Sequence, residues 1–192
     1  MIEKEIKIML TKNQYERLYN YFEYDETILQ VNHYFGDRED RYKKKDTTVR
    51  VREIDGKFYL QVKCPVENKD NDKELAELIN KKVRKEYEEE LDKLPEMITK
   101  EQLYDLTKKE LFDAEYLGYL ETKRMICRKY ENVEICLDYN KYLGITDYEI
   151  EIEYTGDYPE FIINELEKIS IETDKLCRGK FTRFLGILST LN

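Results

Sequence analysis

The chain is built on a period of two. Between residues 2 and 10, Ile2, Ile6, Ile8 and Leu10 share one parity, while Glu3, Glu5, Lys7 and Met9 hold the other. Successive side chains of a β-strand point to opposite faces, so such a segment can bury only one side against hydrocarbon. The same two-faced pattern recurs along the sequence. Val49 and Val51 oppose Arg50 and Arg52, and Phe58, Leu60, Val62 and Cys64 oppose Tyr59, Gln61 and Lys63. Arg84, Glu86, Glu88 and Glu90 share a face, as do Thr122, Arg124, Ile126 and Arg128. Further on, Val133, Ile135 and Leu137 oppose Glu134, Cys136 and Asp138, and Tyr148, Ile150, Ile152 and Tyr154 oppose Asp147, Glu149, Glu151 and Glu153.

These runs predict eight strands: 2–10, 30–35, the two arms of a hairpin over 47–64, and 83–91, 117–129, 132–139 and 147–155. Asp55-Gly56 is a favoured two-residue hairpin turn, and Pro65 ends the returning arm by removing a donor. Between the strands the period lengthens. Thr11 caps a helix carrying Tyr15, Leu18, Tyr19 and Phe22, and Thr99 caps another to Phe112. Residues 159–169 and 180–189 also read as helices, and the polar stretch 66–82 as an excursion with a short helix. Antiparallel strands flanked by amphipathic helices give an α+β fold. Eight such strands can close into a β-barrel whose lumen holds one small ligand. The expectation is a single domain over 1–192, an eight-stranded antiparallel barrel or tunnel with flanking helices.

Composition removes other classes. The excess of 42 acidic over 33 basic residues argues against non-specific nucleic-acid binding, which needs a net basic face. No apolar run approaches the ~20 residues of a membrane-spanning helix. Cys64, Cys127, Cys136 and Cys177 show no metal-ligand spacing. With no secretory signal evident, they read as reduced thiols of a cytoplasmic protein. The oligomeric state stays open between monomer and homodimer.

In the expected barrel the polar faces would line the lumen with Glu3, Glu5, Glu86, Glu88, Asp138, Glu149 and Glu151, opposed by Lys7, Arg50, Arg52, Lys63 and Arg124. Any one such strand is more simply a solvated face. Several in agreement are harder to dismiss, because desolvated charges cost several kcal/mol each unless paired or ligated. Hard carboxylate oxygens suit Mg²⁺ or Mn²⁺. Converging Arg and Lys suit phosphate oxygens.

The segment Glu3-Lys4-Glu5-Ile6-Lys7 resembles the ExExK motif of the CYTH superfamily, the triphosphate tunnel metalloenzymes. Tyr34-Phe35, Val49-Arg50-Val51-Arg52 and Leu60-Gln61-Val62-Lys63-Cys64-Pro65 follow in the family's order. Thr122-x-Arg124, Asp138, Tyr148-Glu149-Ile150-Glu151 and Lys180 resemble its second half. The resemblance implies metal-dependent hydrolysis of a small-molecule triphosphate: inorganic tripolyphosphate, thiamine triphosphate or a nucleoside triphosphate. It implies Glu3, Glu5, Asp138, Glu149 and Glu151 as metal-side carboxylates, with Glu86, Glu88 and Glu153 as further acidic groups. Lys7, Arg50, Arg52, Lys63, Arg124 and Lys180 would hold phosphate oxygens. Three features depart from the family: Gly36 stands where an aspartate often follows the paired aromatics, 66–82 has no clear counterpart, and Gly179 stands where a small polar residue is usual.

A lysine among cations can have its pKa lowered enough to deprotonate water. Lys63 with Tyr34 is the expected base and Lys7 the runner-up, whereas the single histidine, His33, reads as strand filler. An adenylate cyclase of the same architecture, or a non-catalytic binder of polyphosphate, would display the same motifs.

Overall fold

The computed structural model describes residues 4–37, 39–66, 84–173 and 177–191. Glu3 and nearly all of the predicted 66–82 excursion lie outside the described residues. The chain forms two compact units, Met1–Gln30 with Leu120–Asn192, and Val31–Tyr119.

In the first unit β1 (Lys4–Leu10), β9 (Ile145–Tyr154), β8 (Val133–Tyr142) and the later part of β7 (Ala114–Tyr130) pair antiparallel in that order. Their apolar parity meets α1 (Lys12–Tyr21) and α4 (Glu160–Lys168), so Ile8, Ile135, Leu137, Ile150 and Ile152 pack with Leu18, Phe22, Ile162 and Leu166 in one core. Helix α1 starts where expected. Thr11 Oγ1 accepts from Gln14 N–H at 3.2 Å while Gln14 Oε1 accepts from Thr11 N–H at 2.8 Å, a reciprocal capping box. The last helix, α5 (Lys180–Leu191), follows residues 177–179.

The second unit holds the later part of β2 (Glu26–Gly36), β3 (Thr48–Ile54), β4 (Lys57–Pro65), β5 (Arg84–Leu91), the two-residue β6 (Met97–Ile98) and the start of β7. Strands β3, β4 and β5 pair antiparallel. Short α2 (Arg41–Lys44) and α3 (Lys100–Thr107) complete it, and Leu103 of α3 seals Phe35, Val49, Val51, Leu60 and Val62. Thr99 and Gln102 repeat the capping box. Helix α3 stops short of the expected Phe112 because Lys108 turns left-handed (φ 57°) and donates its N–H to Tyr104 O at 2.7 Å.

The hydrogen-bonded path is β1-β9-β8-β7-β2-β3-β4-β5, with β6 on β7. The α+β class and the largely antiparallel order stand. Closure into a barrel does not follow, because no pairing among the described residues joins β1 to β5. Both end strands are charged: Lys4 and Glu5 are exposed on β1, and Arg84, Lys85, Glu86, Glu88, Glu89 and Glu90 on β5. Charged side chains on an edge discourage further pairing. Hairpin turns set the register elsewhere. Asp55 and Gly56 both take positive φ (50° and 73°), as do Leu143 and Gly144 (46° and 78°). The second turn carries β8 and β9 through 140–146, which sequence alone left as a connection. No described helix is long and apolar enough to cross a membrane.

After β2, Asp37 organises the chain. Its carboxylate accepts from the N–H groups of Glu39 (2.9 Å), Arg41 (3.2 Å) and Tyr42 (3.2 Å) and from Arg41 Nε (3.1 Å). Burial pushes its pKa up, but these donors outweigh burial and hold it below the usual carboxylate range. Such a group stabilises the fold above its ordinary pKa and loses that contribution as pH falls through the folded value. Asp37→Ala is expected to lower the urea-unfolding free energy by about 1–2 kcal/mol at pH 7. The gap from wild type should close as the pH falls below 3.8, and a constant gap would contradict the assignment.

Candidate active site

In the first unit the polar parity of four strands converges. Lys7 lies opposite Glu151 and Glu5 opposite Glu153, Asp138 lies opposite Glu149, and Arg124 opposite Asp138. A single register therefore brings side chains from four strands to one face. Asp138 and Glu149 are 0 % exposed and Glu151 3 %, and their oxygens lie within 4.8 Å of one another. Burying three carboxylates together is tolerated only where cations share the burial.

Four cations do so. Lys180 Nζ, at the start of α5, sits 2.7 Å from Asp138 Oδ2, 2.7 Å from Glu151 Oε1, and also contacts Glu149. Arg124 grips Asp138 through Nε at 2.9 Å and Nη2 at 2.7 Å, and reaches Glu151 at 2.5 Å and Glu153 at 3.6 Å. Lys7 bridges Glu5 (3.0 Å) and Glu151 (3.1 Å). Arg183 joins Asp147 (2.9 Å) to Glu149 (3.0 Å). Burial alone would raise the Glu151 pKa, yet Lys180, Arg124 and Lys7 overcome it and hold the carboxyl well below its ordinary range. Burial likewise opposes the Glu149 carboxylate, and Lys180 and Arg183 again prevail. Cys177, 3.5 Å from Glu149, is pushed up to about 12 by burial and by that carboxylate, so it is a thiol rather than a thiolate.

Helix α5 is tied to this face. Cys177 N–H donates to Lys7 O at 3.3 Å, and buried Phe184 packs by Tyr142 with ring centroids 6.4 Å apart. Lys180 and Arg183, three residues apart, then share one helix face. Arg183 was not singled out in the sequence, although its spacing from Lys180 was a usable signal. Asp147 was missed as well, and so was Asn140, which donates to Asp147 at 2.9 Å and to Glu149 at 3.2 Å.

Of the expected metal-side residues, Asp138, Glu149 and Glu151 come together. Glu5 stands apart, its side chain 40 % exposed and paired with Lys7, and Glu153, expected as a further acidic group, lies 3.6 Å from Arg124. Lys7 does not have the lowered pKa expected of a base. Burial depresses it, but Glu151 and Glu5 outweigh burial and raise it.

The second unit has its own polar face. Arg50 donates to Gln61 at 2.7 Å and to Glu86 at 3.3 Å, and Gln61 donates to Glu88 at 2.5 Å. Lys63 is partly exposed and 3.9 Å from Glu86. Arg52 Nε donates to Asn32 Oδ1 at 3.3 Å, which leaves Asn32 Nδ2 a buried donor with no acceptor among the described residues. Tyr34 is 1 % exposed. His33 has polar partners, Glu53 at 3.1 Å and Tyr116 at 3.3 Å. At Gly36 a Cβ would come 2.8 Å from Leu117 Cδ1, so an aspartate there would have to displace that side chain.

Comparison with known proteins agrees with this arrangement. The family model described as "CYTH domain" matches residues 1–171. A Bacillus subtilis protein named "Putative triphosphatase YjbK" is 31 % identical over 159 residues, covering 79 % of this chain and 77 % of that one. Among solved structures, a "putative adenylate cyclase" from Bacillus halodurans is 27 % identical with a TM-score of 0.63, over 95 % of this chain and 97 % of that one. A Hippeastrum protein, described as a "Putative adenylyl cyclase" with a dominant triphosphatase activity, shares the fold at 22 % identity and a TM-score of 0.68, over 96 % of each chain. With Glu5 and Lys7 of β1 brought by strand register to the face of the buried carboxylates, Lys180 reaching them from α5, and a family match over most of the sequence, the chain belongs to the CYTH family.

Proposed function

We propose that this protein hydrolyses the terminal phosphoanhydride of a small triphosphate, with Mg²⁺ or Mn²⁺ held by Asp138, Glu149 and Glu151. The observation that carries the reading is the buried trio of carboxylates surrounded by Lys7, Arg124, Lys180 and Arg183 on one strand face of a CYTH chain. Three converging hard-oxygen donors fit a divalent ion. When bound, such an ion would offset phosphate charge and polarise water.

The chain's own groups supply the rest. Lys7, Arg124 and Lys180 are cations whose partners are carboxylates, and phosphate oxygens match the same donors. Arg50, Arg52 and Lys63, together with the Asn32 amide, give the second unit a phosphate-binding face of its own. Hydrolysis adds water oxygen to the terminal phosphorus, breaks the bridging P–O bond and releases orthophosphate and a diphosphate. Positioning and charge stabilisation dominate such a transfer. Of the proposed bases, Lys7 is held charged between Glu5 and Glu151, and Tyr34 is a buried phenol. Lys63, the third, pairs with Glu86 at 3.9 Å and is proposed as a contact to a phosphate oxygen.

Purified full-length protein with Mg²⁺ or Mn²⁺ should release orthophosphate from tripolyphosphate and stop on chelation. Glu149→Ala should lower kcat about 100-fold or more. Undiminished hydrolysis by Glu149→Ala, or cyclic AMP with pyrophosphate as the products from ATP, would overturn the reading.

Lys63 separates function from fold. Among the described residues its single ion pair is long and partly exposed, so Lys63→Met should keep unfolding stability within about 0.5 kcal/mol of wild type. Losing a charge-assisted contact should cut kcat/KM about ten-fold or more. Unchanged kcat/KM would remove Lys63 from the site.

A further inference from the structure

The place that Asp138, Glu149 and Glu151 offer a divalent cation is the place where Lys180 Nζ sits. The ammonium touches all three, at 2.7 Å from Asp138 Oδ2, at 2.7 Å from Glu151 Oε1, and at Glu149 Oε1. An ammonium has three donors and no acceptor, so one carboxylate per donor saturates it. The remaining oxygens are engaged as well. Arg124 spans both oxygens of Asp138 and takes Glu151 Oε2, Arg183 takes Glu149 Oε2, and Lys7 shares Glu151 Oε1. Lys180 is 9 % exposed, so its charge is fully committed to this cluster. A dication entering beside it would meet a like charge at contact distance in a poorly solvated site, and would lack freely offered oxygens.

Among the described cations only Lys180 contacts all three carboxylates, so it is the one that a dication seated among them would have to displace. Arg124 is fixed by a bidentate fork from the middle of β7, and Lys7 rises from β1. Lys180 carries its charge on a flexible four-carbon stem at the first residue of α5.

We propose that Lys180 is the resident counter-ion of the metal seat, and that a divalent ion enters by exchange with its ammonium rather than by addition. A polyphosphate favours that exchange because it gives the displaced ammonium anionic oxygens to hold. Metal and triphosphate therefore bind cooperatively, and metal alone binds weakly. Linkage makes the coupling reciprocal: each ligand tightens the other by the same factor. The inference rests on the triphosphate reading of the site, and makes Lys180 the residue that determines when metal is accepted.

The probe is Mn²⁺ alone, titrated into the full chain without any phosphate compound and followed by the EPR signal of free Mn²⁺. Lys180→Met keeps the length of the side chain and removes the charge, and should bind one Mn²⁺ about ten-fold or more tightly than wild type. Equal or weaker binding overturns the exchange. If Lys180→Met folds only poorly without metal, recovery of its cooperative thermal transition on adding Mn²⁺ supports the proposal, and no recovery overturns it. In unaltered protein saturated with Mn²⁺, amide exchange at 180–183 should quicken, and unchanged exchange there counts against displacement. Tripolyphosphate turnover by wild type is scored separately. Turnover without a gain in Mn²⁺ affinity from Lys180→Met rejects the exchange alone. A gain in affinity with no wild-type turnover rejects the hydrolytic reading and leaves the exchange standing.

Discussion

The burial of Asp138, Glu149 and Glu151 is the constraint on which the first unit depends. A carboxylate taken from water costs several kcal/mol even after relaxation, and three together repel one another unless cations stand between them. Here every compensating charge arrives through strand register or through one helix end. Lys7 is delivered by pairing with Glu151, Arg124 by pairing with Asp138, and Lys180 and Arg183 by the first turn of α5. A one-residue slip of β9 would turn Glu149 and Glu151 into the hydrocarbon and Ile150 and Ile152 out of it. The tight turn at Leu143-Gly144, with positive φ at both positions, is therefore as important to the site as any charged residue, because it fixes which parity of β9 meets β8.

The opposite parity supplies the stability that such a cluster does not. Ile8, Leu10, Ile135, Leu137, Ile150 and Ile152 cover one face of the sheet, and Leu18, Ile162 and Leu166 close over them. Each fully buried aliphatic side chain contributes about 1.5–3 kcal/mol. The cluster is not a source of net stability, since an ion pair withdrawn from water seldom exceeds its desolvation cost. The second unit divides the work in the same way, with Val49, Val51, Leu60 and Val62 beneath α3 and Arg50, Arg52, Gln61 and Lys63 on the other face.

This division explains what could be read from the sequence. Period-two alternation and the Asp55-Gly56 turn located the strands, and Thr11 and Thr99 located two helix starts, because each signal is local. The trio of Asp138, Glu149 and Glu151 was also legible, since all three share the charged parity of β8 and β9. Other features depended on what lies across space. Nothing local separated Glu5, which stays at a partly exposed position beside Lys7, from the buried carboxylates. The expected lowering of the Lys7 pKa failed because Lys7 lies opposite an acid, Glu151, rather than among cations. Arg183 reads as an ordinary helical residue until α5 is placed against Asp147 and Glu149. Leu143-Gly144 gave a weak turn signal because leucine rarely takes positive φ, although the strands on either side enforce it.

The charged face also bears on how stability and chemistry trade against each other. Replacing a buried ion network by well-packed hydrocarbon is often neutral or stabilising by about 1–4 kcal/mol. A chain shaped for stability alone could fill the positions of Asp138, Glu149, Glu151, Arg124 and Lys180 with aliphatic side chains, as it does on the opposite parity of the same strands. The ionic arrangement has a different property. In the exchange proposed for Lys180, a cation that leaves a carboxylate would find an equivalent oxygen on phosphate, and the released carboxylate would find a metal ion. A network balanced in this way is held together by its own charges, and ligands of the same charges would be the ones able to disassemble it.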